Sequence, residues 1–324
     1  MSTRYISHFH PPRTDPSTAR AAILDALSQN VELVHEYYAS HPSDVSVYIG
    51  SSGIATMDNY LSELSLPELP SHLFRGSDRY LHPALSRSSS KALAHPRDAS
   101  KTGFLVSSIG LGTLILLRAL QPPSEQRQSD TETQAQKTLS DAVPTSLELL
   151  NAALQLALAL EHTATDDGCE VLYGRAGLLY ALLRLRSTSD RNSSASTSAR
   201  PPINPAVQTL VTNTVLTQLV DAIIQRGKNG SAAYAAELAS ASVRVTASPL
   251  MWTWHGKRYL GGAHGVVGIL QMILSSPADC ITMHIPILLD TVDWLLECKG
   301  GHRNWPSVAP TSSTTHRSDL LQCV

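Results

Sequence analysis

The run Trp254-His255-Gly256-Lys257-Arg258-Tyr259-Leu260-Gly261-Gly262-Ala263-His264-Gly265 is the densest polar and aromatic stretch of the chain. His264 stands among small residues at an expected helix start. A helix dipole there lowers an imidazole pKa and a nearby carboxylate raises it, so such a histidine can act as general acid or base near neutral pH. Taken as a lone histidine, it more readily reads as a hydrogen-bonded structural residue. Glu170 precedes the turn Gly174-Arg175-Ala176-Gly177. A carboxylate there, facing the same cavity as His264, would tune it; the spacing also allows an ion pair between Glu170 and Arg175. Metal-ligand spacing is poor. Cys298 with His302 and His316 with Cys323 bring zinc-competent atoms, but the Arg303 to Thr315 span between them is rich in proline, serine and threonine and has no ligand pattern. Cys298, ending an apolar helix, reads as a core residue. There is no dinucleotide fingerprint, Walker loop or nucleophile elbow.

The elements that must position these groups are helices, and the chain reads as all-α. A helix is expected from Ser17, as cap, to about Ser40, with Ala22, Ile23, Leu27, Val31, Val34 and Tyr38 on one face. Thr145 opens another, striped by Leu147, Leu150, Leu154 and Leu158. Asn204-Pro205 begins a third, whose apolar steps run from Val207 to Gly227. A fourth spans about His284 to Cys298. Four small-residue turns each launch an apolar helix: Gly50 to Ala55, Ser107 to Gly112, Gly174 to Leu179 and Gly262 to Val267. Aligned on Gly53, Gly110, Gly177 and Gly265, they predict an array of helical hairpins. Glycine at a helix start permits close backbone approach, and converging starts would aim their positive ends at one place.

Composition bounds the function. The chain has 324 residues, 42% hydrophobic and 16% charged, with net charge −2. With a pI near 6.7 it lacks the basic surface of a nucleic-acid binder. Four cysteines without a Cys-x-x-Cys pair make no disulfide framework. Met1 to Pro12 has no apolar run of the secretory kind, and Phe104 to Leu117, closed by Arg118, falls short of the ~20 residues of a spanning helix. The expectation is a cytoplasmic, reducing setting and no transmembrane segment. The polar stretches 86–100, 121–137 and 187–202 are expected to be mobile insertions within a single domain over 1–324.

Three pieces together, Ser46 to Ala55, Cys169 to Leu183 and Trp254 to Gly265, followed by Asn304-Trp305-Pro306-Ser307, resemble the eukaryotic lanthionine synthetase C-like (LanC-like) proteins. The resemblance implies an (α/α) toroid, or barrel, of helical hairpins with the glycine-rich turns at the inner-helix starts. It implies zinc held by two Cys and one His, and addition of a thiol to a dehydroamino acid: a peptide cysteine in the bacterial cyclases, glutathione in the eukaryotic relatives. His264 falls on the family's motif histidine, and Glu170 where bacterial cyclases carry an acidic residue. Arg4 resembles an N-terminal arginine implicated in glutathione contact, and Arg175 is carried along as a second substrate-binding candidate.

The family pattern continues with Trp-Cys-His-Gly and then Cys-His-Gly motifs, which supply the zinc ligands. This sequence ends Gln322-Cys323-Val324, so Cys323 is at most a residual ligand and no complete zinc site is expected. The expectation is a truncated, incomplete toroid that lacks its last hairpins, exposes an apolar patch, binds no zinc by itself and is inactive or impaired. The alternative is a non-catalytic module binding a peptide or, peripherally, a membrane; Met1-Ser2 lacks the Met-Gly start of myristoylation. A glycoside hydrolase on the same architecture needs two carboxylates across a cleft, and Glu170 is the single good candidate.

Overall fold

The computed structural model describes residues 15–40, 44–64, 66–70, 73, 76–87, 92–121, 130–159, 168–193, 203–242, 245–298 and 305–309. Twelve α-helices cover most of them: α1 (Pro16–Ser40), α2 (Ser51–Leu64), α3 (Asp78–Arg87), α4 (Ser108–Ala119), α5 (Asp130–Asp141), α6 (Val143–Leu158), α7 (Arg175–Ser193), α8 (Asn204–Leu210), α9 (Asn213–Ser240), α10 (Val266–Leu274), α11 (Ala278–Ile281) and α12 (Ile285–Glu297). Extended pairing among the described residues is limited to isolated bridges, Trp254 with Lys257 and Tyr259 with Val308. The all-α expectation holds.

Each of the four turns does open a helix: α2, α4, α7 and α10. These pack one against the next in chain order, while α3, α6 and α9 form a second layer. α4 shows why. Every residue from Ile109 to Leu117 is buried, and a helix apolar all round must have neighbours on every side. One large core joins these helices. A smaller one, Val31, Leu61, Leu69 and Leu73, lies between α1, α2 and the segment that follows. A buried pair, His35 Nε2 to Asp58 Oδ1 at 3.1 Å, also ties α1 to α2.

Several sequence expectations shift. Asp15, not Ser17, caps α1, its carboxylate accepting from the Ser17 and Thr18 amides. The face of α1 turned to the protein runs through Leu24, Leu27, Val31, His35 and Tyr38, leaving Ile23 and Val34 exposed. The helix expected over 204–227 is two. Thr212 interrupts it and caps α9 through Val215 N, which then runs past Gly227 to Ser240. Gly227 ends nothing: a methyl there would strike the Trp252 ring, and Met251 N donates to Gly227 O at 2.9 Å. That contact brings the segment before Trp254 into place. Residues 204–240 are long and apolar enough to cross a membrane, yet this stretch carries the break at Thr212, and Leu216, Leu219, Val220 and Ile223 are core. Of the expected polar insertions, 130–137 lie within α5, which packs on α3 and α4 with Leu139 buried, and 187–193 finish α7. Residues 88–91, 122–129 and 194–202 lie outside the described residues.

Candidate active site

The four turns share one register. The third residue of each launched helix, Gly53, Gly110, Gly177 and Gly268, lies against the carbonyl of the residue six before it: Val47, Phe104, Val171 and Gly262. A methyl group at any of them would collide with that oxygen. The fourth equivalent is therefore Gly268, and Gly265 matches Gly50 and Gly174, a correction to the alignment drawn from sequence. In the second turn Ser107 takes this last place, its hydroxyl donating to Gly103 O at 2.6 Å and accepting from Ile109 N.

Adjacent turns are joined main chain to main chain. Tyr48 N donates to Leu105 O (2.8 Å), Gly103 N to Tyr173 O (2.6 Å) and Val171 N to Ala263 O (3.2 Å). Leu260 N to Ser307 O (3.0 Å) and Ala309 N to Arg258 O (2.8 Å) extend the ladder to residues 305–309. Ile49, Val106, Tyr173 and His264 occupy the same register position, so Tyr173 and His264 are neighbours across two turns although 91 residues apart in the chain.

Glu170 is the buried centre. Its side chain is 1% exposed and accepts hydrogen bonds from the Leu172 and Tyr173 amides. Its Oε2 lies 2.8 Å from Nδ1 of His264, whose side chain keeps 29% exposure. Burial pushes the Glu170 carboxyl up to about 7, against the lowering effect of the backbone amides. Burial pulls His264 down, helped by the neighbouring His255. The contact at 2.8 Å favours an ion pair while burial opposes both charges, so the pair shares one proton near neutrality. Once Glu170 ionises, it accepts Nδ1–H and fixes the tautomer that leaves the Nε2 lone pair available.

Aromatic rings close around the imidazole. Trp254 lies parallel to it at 5.6 Å between centroids, Tyr173 parallel at 6.1 Å, and Tyr259 tilted at 5.9 Å. Trp254 and Tyr173 also stack on each other at 5.2 Å. A two-residue hairpin turn presents Trp254, with Trp254 N to Lys257 O at 2.8 Å and the reverse bond at 3.0 Å. Its corner needs positive φ at His255 (50°) and Gly256 (70°), the left-handed conformation that Gly256 supplies without strain. Lys101 Nζ lies 5.6 Å from the Tyr173 ring centroid.

A family model, lanthionine synthetase C-like protein, matches residues 41–318. The chain belongs to the LanC-like family. The match embraces the four turns and both members of the Glu170–His264 pair.

Within this LanC-like site the other expected residues fall differently. Arg175 is fully buried; Nε donates to Ala157 O at 2.7 Å and a terminal nitrogen to Gly168 O at 3.1 Å. Glu170 pairs with His264, not with Arg175. This buried guanidinium holds main-chain carbonyls of the α6 end and of the turn before α7. Arg4 and Cys323 lie outside the described residues. No three His, Cys, Asp or Glu side chains converge among the described residues, so those residues do not themselves fit a zinc ion. Cys298 is half-buried, and burial raises its thiol to about 11, so it is held as the neutral thiol. Sequence reasoning missed Trp254, Tyr173 and Tyr259 as partners of His264; the residues Trp254-His255-Gly256-Lys257, reading as a tight hairpin, were the available signal. It also missed Lys101, which nothing in the local sequence marks.

Proposed function

We propose that His264, held by Glu170, is the proton-transfer group for addition of a thiol to a dehydroamino acid in a peptide. The reading is supported above all by the 2.8 Å contact between a buried carboxylate and a partly exposed imidazole within a LanC-like fold. Nε2 takes the thiol proton, sulfur bonds to the β-carbon, and the π electrons move to the α-carbon. Nε2 then returns its proton to the α-carbon, so the addition is balanced and involves no redox change. Zinc, the family's metal, would activate the thiol, but the described residues supply no ligand set for it. An ordinary thiol, with a pKa near ~8.5, is only a few per cent thiolate at pH 7, so the unaided reaction is slow. Glutathione or a peptide cysteine fits as donor, and a cytoplasmic setting would keep such thiols reduced.

Mass spectrometry of glutathione addition to a dehydroalanine peptide tests this. The wild-type chain should exceed the uncatalysed rate by about 10²-fold, in the range of general acid–base catalysis, and His264→Gln should return it to background. Equal rates for the two proteins would refute the assignment. A wild-type rate at background with the peptide still bound would favour the non-catalytic peptide-binding reading, to which the apolar groove beside α1 lends support.

A further inference from the structure

Aromatic residues make up 5% of the chain, yet three of them surround one imidazole. They come from separate pieces: Tyr173 from the turn before α7, Trp254 from the hairpin, Tyr259 from the start of the last turn. Packing around an apolar side chain would need no common plane. Here Trp254 and Tyr173 lie within 3° and 9° of the imidazole plane. Offset parallel stacking at such distances is the attractive geometry for aromatic pairs, and a cation within about 6 Å of a ring centroid is drawn to its negative face.

We propose that Trp254, with Tyr173 and Tyr259, is a positioning residue that fixes the plane of His264 and favours its protonated form. The cage opposes burial. Burial strips water from the imidazolium, and the parallel Trp254 ring at 5.6 Å returns part of the lost stabilisation, so one side chain can both take and give a proton. The other charged and titratable groups here are Glu170 on Nδ1, His255 perpendicular to the Trp254 ring with centroids 4.5 Å apart, and Lys101, whose Nζ lies 5.6 Å from the Tyr173 ring centroid. Glu170 favours the imidazolium, while His255 disfavours it. The effect on the imidazole stands by itself; its relevance to turnover rests on the acid–base reading of His264 above.

The sign of one measurement decides the matter. The His264 pKa is read by NMR on the full-length chain, its resonance assigned by loss in His264→Gln. If Trp254 only excludes water, Trp254→Leu hydrates the imidazole and raises its pKa. If the ring face stabilises the cation, Trp254→Leu lowers it by about half a unit, a ~3-fold loss of proton affinity, and Trp254→Phe restores most of the loss. Should Trp254→Leu fail to fold, as judged by circular dichroism, Tyr173→Leu is read instead and should shift the same way by less. An unchanged or raised pKa in a folded variant overturns the proposal. Full addition activity in His264→Gln would instead sink the acid–base reading while leaving the pKa shift intact, so the two failures are distinguishable.

Discussion

At Glu170, burial and hydrogen bonding pull in opposite directions, and burial wins. Its carboxyl titrates at about 7 in the folded protein against an ordinary value of 4.5. The folded state therefore holds this proton more tightly than the unfolded chain. The resulting stabilisation is complete below about pH 4.5 and is lost as pH rises through 7, on the order of 3 kcal/mol in all. Glu170→Gln removes this ionisation. In urea melts the wild type should lose ground to Glu170→Gln between pH 4.5 and 7.5 by that order; a constant difference would mean the carboxyl is not raised. Glu170 and His264 were legible in the sequence because each sits in a glycine-bearing turn. Arg175 was not, because spacing cannot tell a guanidinium facing a cavity from one turned inward onto the Ala157 and Gly168 carbonyls.

Among the elements, the repeated turn depends on one glycine contact. Gly177→Ala would drive a methyl into Val171 O and to 2.9 Å from Gly103 Cα in the adjacent turn, so the damage spans two repeats. A loss of about 3 kcal/mol is expected, the upper end of overpacking costs. Gly262→Ala, with no atom within 4 Å of the added methyl, should change stability by less than ~0.5 kcal/mol in the same melts. Equal effects would contradict the register. Helical periodicity located α1, α6 and α12 well, because an apolar step of three or four residues survives any tertiary context. It could not find the break at Thr212, where apolar steps continue on both sides, nor show that Gly227 admits Trp252 rather than stopping a helix. The offset of Gly268 was hidden because Gly262 and Gly265 offer equally good glycines nearby.

For the whole molecule, the ladder of turns makes a site from residues remote in sequence and also leaves one face uncovered. Beside the first turn a groove of ≈ 820 Å³ runs between α1 and α2, lined by residues that include Leu33, Tyr37, Tyr48 and Ile49. Leu33 is 61% and Ile49 72% exposed. Contiguous exposed apolar surface of this kind binds apolar dyes and promotes association. Leu33→Glu with Ile49→Glu should lower anilinonaphthalene sulfonate fluorescence while leaving circular dichroism unchanged; undiminished fluorescence would show that the groove is closed in solution. The fold's main functional consequence is that it delivers the Glu170 carboxylate to His264 Nδ1 across 94 residues of chain. Nitrogen-15 NMR of the His264 side chain at pH 8 tests that directly. The neutral imidazole is expected with its proton on Nδ1 in the wild type, reverting toward the Nε2–H form common in water when Glu170 is replaced by Ala. An Nε2–H imidazole in the wild type would contradict the arrangement on which the proposed chemistry depends.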